Sequence, residues 1–282
     1  DGVRDDLQYF RDVYNTDRIE VLKGPSGLVF GRGTGGGVIN RVSKQADGER
    51  TRAVALGIGS FGYARASGDL GGALAQGVDA RINALYEKAG SYREAVASER
   101  YGLAPSAAFA LGAETTLRLS AEHFVDERVT DRGVPSINGR PLEASEKAFY
   151  GNPDLSPSEV TVNSLTAVLE HEFSDTLKLR TAVVYGDYDK FYQNFFAASA
   201  VNAANGSVQL AAYNALTARE NLIAQSDLIW KGELAGLEHT LLLGVEAGQQ
   251  KSENLRIEGQ FPAAGGSERL AVSVADRGRN AS

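Results

Sequence analysis

The sequence predicts an all-β transmembrane barrel, in part. Three observations carry the expectation: apolar and polar side chains alternate with period 2, every second connection is tight, and no apolar run reaches the roughly 18 residues of a membrane helix. The alternation is clearest in VDARINALYE (78–87), where Val78, Ala80, Ile82, Ala84 and Tyr86 oppose Asp79, Arg81, Asn83 and Glu87, and only Leu85 breaks step. It returns in SLTAVLEHEF (164–173) and NLIAQSDLIW (221–230).

About nine antiparallel strands are expected, near 51–59, 63–71, 78–88, 100–111, 115–125, 162–173, 177–188, 220–231 and 238–250. The connectors fall into two sets. GGALAQG (71–77), GAE (112–114), SDT (174–176) and GELAG (232–236) are tight, whereas GSFG (59–62), 89–99, 126–161 and 189–219 start short and lengthen. A water-soluble sandwich has no reason to sort its loops in this way; an outer-membrane barrel, with short turns at one end and long loops at the other, does. Tyr86, Phe109, Phe124, Phe173, Tyr185 and Trp230 lie near strand ends, where aromatic girdles are expected. An odd strand count, the terminal VADRGRNAS and the absence of an initial Met or leader predict an internal portion of a longer protein.

Composition narrows the function. The chain has 282 residues and a net charge of −7, a poor match to nucleic acid, and it contains no Cys, which removes disulfides, thiolate metal sites and a Cys nucleophile. The stretch GRGTGGGVIN (31–40) holds G-x-G-x-x-G at Gly31, Gly33 and Gly36. A dinucleotide site would need a helix to start there, yet VINRVSK (38–44) is β-branched without a helical stripe, and no Gly-Lys-Ser/Thr makes a P-loop.

Residues 1–50 are Gly-rich and balanced, with eight acidic and eight basic side chains. IEVLKGP (19–25), FGRG (30–33) and GGVINRVSK (36–44) resemble the plug domain of TonB-dependent outer-membrane siderophore receptors, and DLGG (69–72), ERYGLAPS (99–106), DRGVPS (131–136), FYGNPD (149–154) and LEHTLLLGVE (237–246) continue the resemblance into the barrel, most like the catecholate receptors. The resemblance implies that residues 1–50 are the C-terminal part of a small mixed α/β plug and that 51–282 are the N-terminal part of a barrel of about 22 strands. It places the glycines in crowded turns, where positive φ and close backbone approach are needed.

The same resemblance implies a transporter rather than an enzyme, in the outer membrane of a Gram-negative bacterium. Its partners would be membrane lipid, a ferric siderophore carried as ligand rather than as cofactor, and the TonB complex, contacted through a segment upstream of this chain. A receptor of the same fold for a hydroxamate siderophore, haem or cobalamin is the alternative, followed by a soluble β-rich protein.

By position, Arg4, Asp5, Asp6, Gln8, Tyr9 and Arg11 resemble the apical loop of the plug, where Arg donors and a Tyr face suit an anionic, aromatic-rimmed ferric complex; a solvated turn is the plain alternative. Lys23 matches the position whose positive charge latches plug to barrel in the family. The long loops supply Arg128, Arg132, Arg140, Lys147 and Tyr150, and then Lys190, Phe191, Tyr192, Phe195, Phe196 and Tyr213, as ligand-capture surface. Residues 126–160 carry seven carboxylates against four cations, so attraction of an anion must be local. His123, His171 and His239 are far apart, and no protein metal site is expected from them.

Overall fold

The computed structural model describes residues 1–3, 7–24, 36–143 and 146–278, without the side chain of Leu234. Strands β1 (Thr16–Lys23) and β2 (Gly37–Ser43) form an antiparallel pair of their own. Their β-branched composition, TDRIEVLK and GVINRVS, suits the pleat. Gly31 and Gly33 lie outside the described residues, but the chain after Gly36 enters β2, so no helix N-terminus follows the glycines.

The rest is one meander. Strands β3 (Thr51–Ile58), β4 (Ala64–Ala75), β5 (Val78–Gly90), β6 (Ala97–Ala110), β7 (Thr115–Val129), β10 (Pro157–Ser174), β11 (Leu177–Ala197), β12 (Ser207–Leu234) and β13 (Leu237–Glu258) pair antiparallel in that spatial order. The two-residue strands β8 (Ser136–Ile137) and β9 (Arg140–Pro141) form a small hairpin in the β7–β10 connection, and β14 (Leu270–Ser273) pairs with Ser207–Leu210 of β12. All nine expected strands are present, and the tight connections are where they were expected.

Three of the expected long loops are shorter than the sequence suggests. They shrink to 91–96, 130–156 and 198–206 because the strands beside them run on. Arg128 therefore lies on β7, Lys190, Phe191, Tyr192, Phe195 and Phe196 on β11, and Tyr213 on β12. Strand length climbs across the sheet from 8 residues in β3 to 28 in β12 and 22 in β13.

One face of the meander is built for lipid. On β5, Ala80, Ile82, Ala84 and Tyr86 point outward until Lys88; on β6, Phe109, Ala107, Pro105, Leu103 and Tyr101 precede Glu99; on β7, Leu117, Leu119, Ala121 and Val125 precede Glu127, with His123 the one polar interruption. The register carries the row of Glu99 and Glu127 to Glu159, and four residues lower a second polar row runs from His123 through Asn163, Asp187 and Glu220 to Lys251. Below Lys88, Glu99, Asp187, Glu220 and Lys251 the strands have about 10 to 14 residues, enough for a tilted membrane strand. Tyr86, Tyr101 and Tyr185 cap the apolar band, while Phe109, Phe173 and Trp230 edge its other end. Glu99, Glu127 and Glu159 stand directly opposite one another, an arrangement tolerable in water and costly in hydrocarbon.

Phe124 does not join the girdle. It lies on the opposite face of β7, only 1% exposed, packed with Leu7, Tyr14, Leu85, Ala104, Val160, Val162 and Tyr188. Leu85, the residue out of step in the alternation, faces the same cluster. The inner face is thus polar except where the segment before β1 rests on it.

Close approach at this contact requires a glycine. A Cβ on Gly102 would stand 2.7 Å from both Cζ and Oη of Tyr14. That ring is fixed, because its hydroxyl donates to Glu122 at 3.2 Å and the Tyr14 carbonyl accepts from Lys44 Nζ at 3.0 Å. Gly102→Ala is expected to destabilise by about 1–3 kcal/mol, seen as a lower urea midpoint in detergent. An unchanged midpoint would mean that the Tyr14 ring gives way freely.

Candidate ligand site

The segment before β1 is clasped to the sheet by a row of alternating charges. Asp12 accepts two bonds from Arg65 on β4, both 2.8 Å, and Arg65 also reaches Glu87 on β5 at 2.7 Å. Arg100 on β6 lies 3.1 Å from Glu87, 3.6 Å from Asp126 and 3.7 Å from Asp12, and Asp126 accepts from Nε of Arg128 at 2.6 Å. Three carboxylates face three guanidinium groups, so the row is neutral within itself. Burial works against ionisation of Asp12, but the bonds and charge of Arg65, the Tyr14 amide and Arg100 outweigh it and hold the carboxyl below its ordinary range. Lower down, Lys44 pairs with Asp69 at 3.0 Å, and Asn15 donates to Glu122 at 2.9 Å.

Above this row lies a cavity of about 580 Å³. Gln8, Tyr9, Phe10, Arg128, Lys190 and Tyr192 line it, together with Asp126 and Asp131. The Arg128 guanidinium stacks 3.8 Å from the Phe10 ring centre. Tyr9 is held from below by Phe124 and Tyr188 at ring separations of 6.2 and 6.4 Å, and from the side by Arg11, which lies 4.0 Å over its ring and donates to its hydroxyl at 2.8 Å. Lys190 Nζ donates to the Gln8 carbonyl at 2.9 Å.

Tyr192 is shared with a second cluster higher up the long strands. Its ring is 5.8 Å from Tyr213, which is 5.9 Å from Phe196. Arg132 donates to the Tyr192 and Tyr213 hydroxyls at 3.3 and 3.2 Å and lies 5.0 Å over Phe196, and Arg256 stacks on Tyr213 at 3.9 Å. Arg128 and Arg256 are each neutralised by a carboxylate at 2.6 Å. Among the described residues Lys190 and Arg132 have no carboxylate partner, so these two cations stand ready for an anion.

The structure therefore brings Gln8, Tyr9, Arg128 and Tyr192 together, with Arg132 next to Tyr192 and Arg11 as a brace behind Tyr9. Arg4, Asp5 and Asp6 lie outside the described residues. Tyr150 is not offered to a ligand: it is 3% exposed, in a run with the buried Ala148 and Phe149. Lys23 is exposed on β1 with no ion pair among the described residues; the visible clasp runs through Asp12, Lys44 and Asn15 instead. Phe10 and the row of inward charges escaped the sequence reading, although the polar parity of β4–β7 already marked Arg65, Glu87, Arg100 and Asp126 as inward. Only the strand register shows that they meet one another.

His123 bonds Asn163 and His171 bonds Thr115, both at 2.8 Å, and among the described residues no three metal-type ligands gather.

No family model matches the chain. The catecholate siderophore receptor Fiu of Escherichia coli K12 is 33% identical over 196 residues, 64% of this chain and 26% of Fiu. The protein named "Probable TonB-dependent siderophore receptor PiuA" of Acinetobacter baumannii is 27% identical over 264 residues, 90% of this chain and 35% of PiuA. The chain is related to the TonB-dependent siderophore receptors. The crystal structure of Fiu in its open form superposes with a TM-score of 0.81 at 26% identity, covering 89% of this chain and 42% of Fiu. The chain thus spans about a quarter of the length of the curated receptor Fiu. The meander is consistent with part of a barrel wall, as its solved neighbours are plugged receptor barrels.

Proposed function

We propose that this chain is the ligand-contacting portion of an outer-membrane, TonB-dependent transporter that imports a ferric siderophore of the catecholate class. Residues 1–50 are read as the C-terminal part of the plug and 51–282 as the start of the barrel. The carrying observation is the cavity where plug residues Gln8, Tyr9 and Phe10 meet barrel residues Arg128, Lys190 and Tyr192. Aromatic faces with uncompensated cations on either side of Tyr192 suit an anion rimmed by catechol rings. The ligand would arrive with its iron already chelated, so the protein needs to supply charge, stacking and hydrogen bonds rather than metal ligands. Import would draw on the TonB complex, and no bond of the siderophore is broken at this site.

The test is a fluorescence-quenching titration of the detergent-purified protein with a ferric catecholate, a ferric hydroxamate and cobalamin. Saturable, sub-micromolar quenching by the catecholate alone is expected. Quenching only by one of the others would keep the transporter and remove the catecholate assignment; quenching by none would remove both.

A further inference from the structure

The row of charges that clasps the plug segment also reaches the cavity, and its central cation is loosely held. Arg128 lines the cavity at one end, and Asp12, on the plug segment, is the other end. Arg100 stands between three carboxylates at 3.1, 3.6 and 3.7 Å, yet its buried Nε makes no hydrogen bond. Arg65, by contrast, is fixed by two 2.8 Å bonds to Asp12. Asp126 is 4% exposed and takes its close bond from Arg128. A carboxylate buried to that degree must keep a cation beside it.

We propose that Asp126 is a positioning residue that couples occupation of the cavity to the docking of plug residues 7–15, with Arg100 as the part that moves. The inference rests on the anionic ligand proposed above. An anion entering the cavity draws Arg128 away from Asp126. Asp126 then recovers its neutralisation from Arg100, the nearest cation without fixed bonds. Arg100 leaves Asp12, and the clasp on the plug segment loosens. No proton or covalent bond changes hands; one guanidinium is redistributed among three carboxylates. The coupling is reciprocal, so a loosened plug segment must also favour the ligand.

Amide hydrogen exchange over residues 7–15 of the detergent-purified protein, with and without the iron(III)–catechol complex, tests this. Ligand is expected to speed exchange there about fivefold in the parent protein. At saturating ligand, Asp126→Asn is expected to abolish the acceleration, because Arg100 then stays with Asp12 and Glu87. Arg128→Gln has the opposite signature: exchange is already fast without ligand, since Asp126 has only Arg100 to turn to. The second variant keeps the proposal testable if the first does not fold. Saturable binding with unchanged exchange in the parent, or an undiminished response in Asp126→Asn, overturns the coupling and leaves the ligand reading intact. Absence of binding to the parent protein overturns the ligand reading and this inference with it.

Discussion

Asp12→Ala is expected to release the segment before β1 from the sheet. The side chain is 6% exposed and accepts both bonds of the Arg65 fork, so its removal leaves a largely buried guanidinium with only Glu87 to share. Breaking one side of such a pair costs about 3–5 kcal/mol, far more than the pair contributes over an apolar replacement of both partners. The chain has no Cys, so a single fluorophore at Val13→Cys, 58% exposed, reports the segment's mobility without background labelling. Fluorescence anisotropy is expected to fall sharply in Asp12→Ala.

The same label reads a pH dependence. The Asp12 carboxyl is held below its ordinary range in the folded protein, so its contribution is fully present above about pH 4, the unfolded value, and is lost as pH falls through the lower folded value. Anisotropy should therefore be flat from neutrality to about pH 4 and decline below it. In Asp12→Asn the acid decline is expected to disappear. Retention of the parent profile in that variant would assign the acid step to another carboxylate and refute the role given to Asp12.

The second large effect concerns the uncompensated cations. Lys190→Gln together with Arg132→Gln is expected to weaken ferric catecholate binding about 100-fold, because each removes one charge-assisted contact of about 1.5 kcal/mol or more. Arg256→Gln should change affinity little, since Arg256 is already neutralised by Glu258 at 2.6 Å. Equal losses in the double variant and in Arg256→Gln would show that the site responds to total positive charge and that the local pairing is irrelevant.

The lower halves of the strands were legible in the sequence and the upper halves were not, for one physical reason. Where lipid faces one side and the polar interior the other, alternation has high contrast, as in Val78–Glu87. Above the polar rows at Glu159 and Asp187 both faces meet water, the contrast goes, and a stretch such as Asp189–Ala197 reads as an aromatic loop while its backbone continues in β11. Phe124 shows the complementary error. An aromatic near a strand end is a girdle candidate, but its parity on β7 aims it at Tyr9 and Tyr14. Tyr9, Arg128, Arg132 and Tyr192 could be nominated from residue type and position. The clasp of Asp12 on Arg65 could not, since it depends on a packing contact between residues 53 positions apart.

The steady climb in strand length gives the mouth of this wall a high side and a low side. At about 3.4 Å per residue, β12 is some 95 Å long and β3 less than a third of that. The aromatic and basic residues of the high side, Tyr192, Phe196, Tyr213 and Arg256, are therefore carried on continuous ladders of hydrogen bonds. Hinged loops would have to freeze each time a molecule arrives, losing conformational freedom with every capture, whereas these side chains wait in place. Capture at such a surface should be limited by diffusion and orientation, with little slow ordering to follow, and a visitor would meet its first contacts well before it reaches the floor formed by Tyr9 and Phe10.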